Sequence, residues 1–460
     1  MRIHLIAMGG SAMHNFALAL HAAGHHVTGS DDQIFEPSRG RLDRAGLLPE
    51  TEGWDPARIT PDLDFVILGM HARKDNPELT KAQALGLRIQ SYPEFLRYAT
   101  REKRRMVVAG SHGKTTITSM ILHAFQAAGQ PTDLMVGAQL EGFDRMVDLQ
   151  PEHEWAVIEG DEYLSSPIDR RPKFLWYSPH VTVVTGIAWD HVNVFPTEAN
   201  YVDQFRQYLL TVEQGGTVVH CEEDACLNGV VDAVKAERTD IHWVGYSTPS
   251  HRPLPQGSEV SFPETSPMSI ALLGAHNMQN LAAARACCEA MGMACEAFDR
   301  HIANFTGAAK RLEVAFEDET NQFVAFRDFA HAPSKLKATQ ASVVGQYPDR
   351  GVTAVFELHT FSSLNKAFLP QYKHGLDAVD HAIVYFDPAV VSHKQLPPLD
   401  VDFVRSCFAR EDLEVIVSAE DLERRLMEVP QENHVLLLMS SGRFGGANVT
   451  PAPRPATSSK

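Results

Sequence analysis

Lys114 and Thr115 close the run Val107-Val108-Ala109-Gly110-Ser111-His112-Gly113-Lys114-Thr115-Thr116, where an apolar segment breaks into a glycine-bounded loop and then a helical pattern. A strand that ends at a helix N-terminus aims several backbone N–H groups at one point. The helix dipole adds positive potential there, so the Gly110–Thr116 loop suits a polyphosphate. Lys114 adds a mobile charge and Thr115 a hydroxyl able to ligate Mg²⁺. The lysine is expected to be exposed on its loop. Gly110 lies nearer Gly113-Lys114 than the common G-x-x-x-x-G-K-[ST] pattern requires, and Val108 stands where its first glycine would be. A strand–turn–helix with a merely solvated lysine is the plainer alternative.

Further carboxylates and imidazoles follow other strand-like runs. Glu159-Gly160-Asp161-Glu162 comes after Trp155–Ile158, and Asp190-His191 after Val181–Gly186. Groups at the carboxyl ends of parallel strands face the crevice where ligands bind, so Glu159 can reach a cation on a triphosphate and a neutral His191 can complete its shell. A solvated acidic turn is the alternative for Glu159. Gly274-Ala275-His276-Asn277-Met278-Gln279-Asn280 opens a helix, where asparagine ordinarily caps, although an amide also matches an adenine edge. The Gly307–Glu313 segment carries Lys310 and Arg311, cations able to stabilise a transferring phosphoryl group, or else a basic linker. Asp328-Phe329-Ala330-His331 offers an acid for a ribose diol and an imidazole near phosphate.

The elements that must position these groups alternate between strand and helix. Ile3–Met8, the Gly9-Gly10 turn, a helix Ala12–Ala23, a strand His26–Thr28, a strand Phe65–Gly69 and a helix Glu78–Leu85 predict a Rossmann-type unit. A second block has strands at Met106–Ala109, Ala156–Ile158, Val181–Thr185 and Val218–His220, with helices at Thr115–Ala128, Tyr201–Leu210 and Asn277–Met291. Ser247–Pro267 reads as a loop or a small antiparallel excursion, and the basic run Arg101–Arg105 as a solvated linker. The third block opens with a hairpin, Leu312–Phe316 and Phe323–Phe326. It continues with helix Pro333–Val344, strands Val352–Phe356, Ala382–Phe386 and Val415–Val417, helix Ala419–Met427 and strand Val435–Met439. The fold class is therefore α/β, with several domains in 460 residues.

A formal charge of −17 opposes nucleic-acid binding, because a phosphate backbone is repelled. No apolar run reaches membrane-spanning length, and the start of the chain lacks a cleavable signal pattern, so a cytoplasmic protein is expected. The six cysteines include no C-x-x-C and read as reduced thiols.

The order of Gly110-Ser-His-Gly-Lys-Thr-Thr116, Glu159-Gly-Asp-Glu162, Asp190-His191, Gly274–Asn280, Gly307–Glu313 and Asp328-Phe-Ala-His331 resembles the Mur ligases of peptidoglycan synthesis. The resemblance runs from Ile3 to Gly446. It implies an ATP-dependent amide ligase of three domains: a Rossmann-like UDP-sugar domain (1–103), a central P-loop-type ATP and Mg²⁺ domain (104–310) and a Rossmann-like peptide-binding domain (311–447). A disordered tail (448–460) is expected to follow. By the same resemblance Lys114 and Arg311 reach the γ-phosphate, and Thr115, Glu159 and His191 hold Mg²⁺. Asn277 and Asn280 contact ATP, Asp328 its ribose, and His331 lies near the nucleotide. Gly9, Gly10, Ser11 and Asp31 bind UDP.

Two branches of the family attach different amines to UDP-N-acetylmuramate. Glu162-Tyr163, Asp169–Phe174 and Met439–Gly446 resemble the branch that adds the recovered tripeptide L-Ala-γ-D-Glu-meso-diaminopimelate, with Ser440, Ser441, Gly442 and Arg443 at the peptide. The other branch adds L-alanine. A non-catalytic sensor of UDP-muramoyl precursors and a Rossmann oxidoreductase are rival readings from other classes. Ala12, Gly160, Asn193, Arg327 and Leu358 depart from the family pattern.

Overall fold

The computed structural model describes residues 1–137, 143, 145–263, 265–307 and 311–449. Its first sheet joins β1 (Arg2–Ile6), β2 (His26–Ser30), β3 (Phe65–Leu68) and β4 (Ile89–Ser91) in the order β2-β1-β3-β4, all parallel. A parallel strand covered on both faces shows no alternation, and β3 is buried at every residue. Helix Ser11–Ala22 leaves the Gly9-Gly10 turn after β1.

The second sheet contains β5 (Arg104–Ala109), β6 (Asp133–Met135), β7 (Val147–Asp148), β8 (Trp155–Glu159), β9 (Val181–Val184), β10 (Thr217–Cys221) and β11 (His242–Tyr246). Its order is β11-β10-β9-β5-β8-β6-β7, and only β6 with β7 is antiparallel. This order sets the ends of β8 and β9 on either side of β5, the strand that feeds the Gly110–Thr116 loop. Helices Lys114–Ala127, Glu198–Leu210 and Ala225–Glu237 accompany it.

The 247–267 stretch is the antiparallel excursion rather than a bare loop. There β12 (Ser250–Leu254) pairs with β13 (Gly257–Ser261), and β13 with β14 (Met268–Ile270). The last sheet, ordered β15-β16-β20-β17-β18-β19, comprises β15 (Glu313–Asp318), β16 (Phe323–Asp328), β17 (Gly351–Glu357), β18 (His381–Tyr385), β19 (Glu414–Ile416) and β20 (His434–Met439). The expected hairpin is β15–β16, the sheet's antiparallel pair, and the other pairs are parallel. Its core is apolar on both faces, with Phe356, Tyr372 and Phe408 on one side and Ile383, Leu436 and Phe444 on the other.

The contacts divide the chain into two compact units. One comprises Met1–Ile187, Glu198–Ser247 and Gln279–Phe305 and holds the first two sheets. The other comprises Ala188–Thr197, Thr248–Met278 and the residues from Thr306 on, and holds the antiparallel sheet and the last sheet. Helix Ala275–Ala290 belongs to both along its length. Among the described residues no helix is long and apolar enough to cross a membrane.

Two expectations fail here. Arg101–Arg105 is no solvated linker at its end. Arg105 is 1% exposed on β5 and donates to the carbonyls of Thr100, Lys103, Tyr177 and Ser178 and to Glu213. A buried guanidinium is tolerable once such acceptors replace water, although burial still lowers its pKa to about 10. The expected tail also starts too early. Asn448 donates its N–H to Glu423, and Val449 is buried against the last sheet; residues 450–460 lie outside the described ones.

Candidate active site

Gly113 is left-handed at φ 67° and stands just before helix Lys114–Ala127. A Cβ there would lie 2.1 Å from Asn280 Oδ1, so the loop requires glycine both for its backbone and for the close approach of Asn280. Thr185 Oγ1 donates to the His112 carbonyl at 2.6 Å, and Ser111 N–H to the Gly186 carbonyl at 3.0 Å. The end of β9 therefore braces the loop that β5 begins.

Lys114 is not exposed as its sequence position suggested. Its side chain is 15% exposed, and Nζ donates to the Gly110 carbonyl and to Glu162, each at 2.7 Å. Burial opposes its charge, but Glu162, Asp161 and Glu159 outweigh that and hold the ammonium above its ordinary pKa. Glu162 also accepts from Tyr201 at 3.3 Å, and the Tyr201 hydroxyl lies 3.0 Å from Ser111 Oγ. Glu162 and Tyr201 are partners of Lys114 and Ser111 that the sequence reading did not assign to the site. The doublet of acids after β8 was visible, but only the sheet order reveals that its second member meets the lysine. Asp161, one residue earlier, pairs with Lys173 and is held below the usual carboxylate range against its burial.

Thr115 Oγ1 donates to Glu159 Oε1 at 3.0 Å, and Gly137 N–H to Oε2 at 3.0 Å. A threonine hydroxyl beside a strand-end carboxylate is a set of hard oxygen donors, which suits Mg²⁺ and leaves room in its shell for phosphate oxygens. Among the described residues no group of three or more histidine, cysteine or acidic side chains is arranged to hold a metal alone.

In the same unit, Gly9 N–H donates to Asp31 Oδ2 at 2.6 Å, and Asp32 N–H to Oδ1 at 2.9 Å. Burial raises the Asp31 pKa to about 6, with a further push from Asp32 that the two N–H donors only partly offset. The turn Gly9-Gly10-Ser11 and the end of β2 thus meet, with Gly10 and Ser11 opening helix Ser11–Ala22.

The remaining residues lie in the other unit. His191 is left-handed at φ 54°, and its N–H donates to Asp190 Oδ1 at 2.7 Å. Asp190 also accepts from Ser362 at 3.1 Å and stands 4.0 Å from His331 Nε2. Burial, reinforced by Lys335, drives the His331 pKa down to about 3, so this imidazole is neutral and a poor proton acceptor. Asp328 is held by its surroundings, accepting from Leu312 N–H at 2.9 Å, Ala330 N–H at 2.7 Å and Thr339 at 3.1 Å. Arg311 lies over the Phe329 ring at 4.9 Å. Asn277 uses its amide to donate to the Leu273 carbonyl at 2.9 Å. Lys310 and its two predecessors lie outside the described residues.

Known proteins match this arrangement. Residues 2–104 fit the family model described as Mur ligase family, catalytic domain, and residues 108–288 the one described as Mur ligase middle domain. A UDP-N-acetylmuramate–L-alanine ligase of Arthrobacter sp. is 30% identical over 83% of this chain and 80% of its own length. The UDP-N-acetylmuramate–L-alanyl-γ-D-glutamyl-meso-2,6-diaminoheptandioate ligase of Escherichia coli is 28% identical over 97% and 96%. The crystal structure of the UDP-N-acetylmuramate–alanine ligase of Thermotoga maritima superposes with a TM-score of 0.71 at 19% identity, covering 96% of each chain, and shares the fold. With both family models matched in order and a relative at 30% identity across most of both chains, this protein belongs to the Mur ligase family.

Proposed function

We propose that the protein joins UDP-N-acetylmuramate to the tripeptide L-Ala-γ-D-Glu-meso-diaminopimelate in the cytoplasm, as an ATP-dependent carbon–nitrogen ligase. The lactyl carboxylate oxygen attacks the γ-phosphorus of ATP, ADP leaves, and an acyl phosphate forms. The peptide amine then attacks the acyl carbon, the single bond from that carbon to the phosphate oxygen breaks with its electron pair leaving on phosphate, and the nitrogen loses a proton to give the amide. The observation that carries the ATP half is the meeting of Lys114, Thr115 and Glu159 at one glycine loop. Lys114 and the loop N–H groups neutralise and orient the phosphates, and positioning supplies most of the rate. Mg²⁺ would supply further charge neutralisation; Thr115 and Glu159 would hold it, with His191 proposed as a third ligand. Asn277, Asn280, Arg311, Asp328 and His331 are proposed contacts to ATP, and Gly9, Gly10, Ser11 and Asp31 to UDP.

The tripeptide is favoured by the resemblance of Asp169–Phe174 and Met439–Gly446 to the branch that adds it and by the Escherichia coli relative. The second reading, ligation of L-alanine, is favoured by the Arthrobacter relative. A sensor without catalysis leaves the Lys114, Thr115 and Glu159 constellation without a task. Glu159→Gln tests the site: the amide keeps the shape and removes the charge, so the Mg²⁺ concentration for half-maximal ligation is expected to rise at least about tenfold. An unchanged Mg²⁺ dependence contradicts the assignment.

A further inference from the structure

Glu357 is the last residue of β17 and only 3% exposed. Its partners lie across the sheet on the turn that follows β20. Oε2 accepts from the Ser440 hydroxyl and from the Phe444 N–H at 2.9 Å, while Oε1 stands 3.6 Å from His359 Nδ1. Ser440 Oγ in turn accepts the Gly442 N–H at 2.7 Å. One carboxylate thus grips the turn at its first and fifth residues.

The turn has little freedom left. A Cβ on Gly442 would fall 2.7 Å from the His359 ring and 2.8 Å from Glu357 Oε2, so the backbone is pressed against both. Phe444 is left-handed at φ 51° and buried beside Tyr385. Between these anchors Arg443 is exposed. Burial alone would raise the Glu357 pKa, but His359, Ser440 and the Phe444 N–H hold it below the usual glutamate value, so the anchor is an anion at working pH.

We infer that Glu357 is a positioning residue for the incoming amine substrate: it fixes the 440–444 turn so that Arg443 is presented to a substrate carboxylate. The inference rests on the reading of that turn as the amine site. A carboxylate is the group a guanidinium fork recognises, and the strand ends of an α/β sheet are where its ligand loops stand. A side chain held on a clamped turn loses less freedom on binding than one on a loose loop.

A double-mutant cycle tests this, with the tripeptide and L-alanine assayed separately as amine. Arg443→Ala is expected to raise the KM for the preferred amine about tenfold or more, with the KM for ATP within twofold. Glu357→Ala is expected to do the same, and adding Arg443→Ala to it should raise KM less than twofold further. Glu357→Gln, whose amide oxygen can keep both hydrogen bonds, should fold as the parent does and cost a few-fold in KM. If Arg443→Ala leaves the amine KM unchanged, the reading of the turn itself fails. If Arg443→Ala raises KM but its effect multiplies in full with that of Glu357→Ala, or if Glu357→Ala leaves KM unchanged, the turn reading stands and the positioning role is overturned.

Discussion

Asp31 is a carboxylate set beside the Gly9-Gly10 turn proposed to bind UDP, and its own charge is what that turn must accommodate. Its folded pKa of about 6 exceeds the ordinary carboxylate value, so the folded state binds the proton more tightly than the unfolded chain. The stability this confers is complete only well below the ordinary carboxylate value of 3.8, where both states are protonated, and is lost as pH rises through about 6. Asp31→Asn is therefore expected to melt a few degrees above the parent at pH 8, with the gap closing toward pH 5. Melting curves at the two pH values check it, and a gap independent of pH contradicts the account. At this scale Lys114, Thr115 and Glu159 were legible because their types and their places after strand-like runs carry the chemistry. Glu162 and Tyr201 were not, because their meeting with Lys114 and Ser111 depends on which strands neighbour β5. Lys114 was placed wrongly as exposed, because a loop position says nothing about the acids packed around it.

The elements make the loop stiff. Helix Lys114–Ala127 begins at a left-handed glycine, β9 holds the loop through Thr185 and Gly186, and Asn280 fills the space over Gly113. Gly113→Ala places a Cβ where the Asn280 oxygen sits and asks alanine for a left-handed backbone, which alone costs about 1–2 kcal/mol. The expected result is a lower melting temperature together with an ATP KM at least about tenfold higher; a variant with parental ATP KM contradicts the role given to the loop. Apolar runs without alternation revealed most strands of the three α/β blocks, because strands covered on both faces have a simple signature. Helices Tyr92–Ala99 and Val401–Phe408 escaped it, being elements of only 8 residues each, too short to repeat a period. The Arg101–Arg105 run misled because a charge cluster ordinarily means a solvated face, whereas carbonyls from residues 72 and 73 positions further along the chain enclose Arg105.

For the whole molecule, the sequence order of modest motifs was more informative than any one of them, since their spacing reports which strand ends carry chemistry. That order led to the family, and the second sheet, in which β5 and β8 are neighbours, places Lys114, Thr115 and Glu159 together. The identity of the amine was less legible. It is proposed to depend on the shape of a turn after the last strand, which Glu357 and Phe444 hold by contacts that no local pattern encodes. The most direct measurement is an initial-rate assay of the full chain with ATP, Mg²⁺ and UDP-N-acetylmuramate, varying the tripeptide in one arm and L-alanine in the other and following ADP and the amide product. The account predicts stoichiometric ADP and UDP-muramoyl-tripeptide, with kcat/KM for the tripeptide at least about a hundredfold above that for L-alanine. Amide formation with L-alanine in preference to the tripeptide, or no ATP-dependent product with either amine, contradicts it.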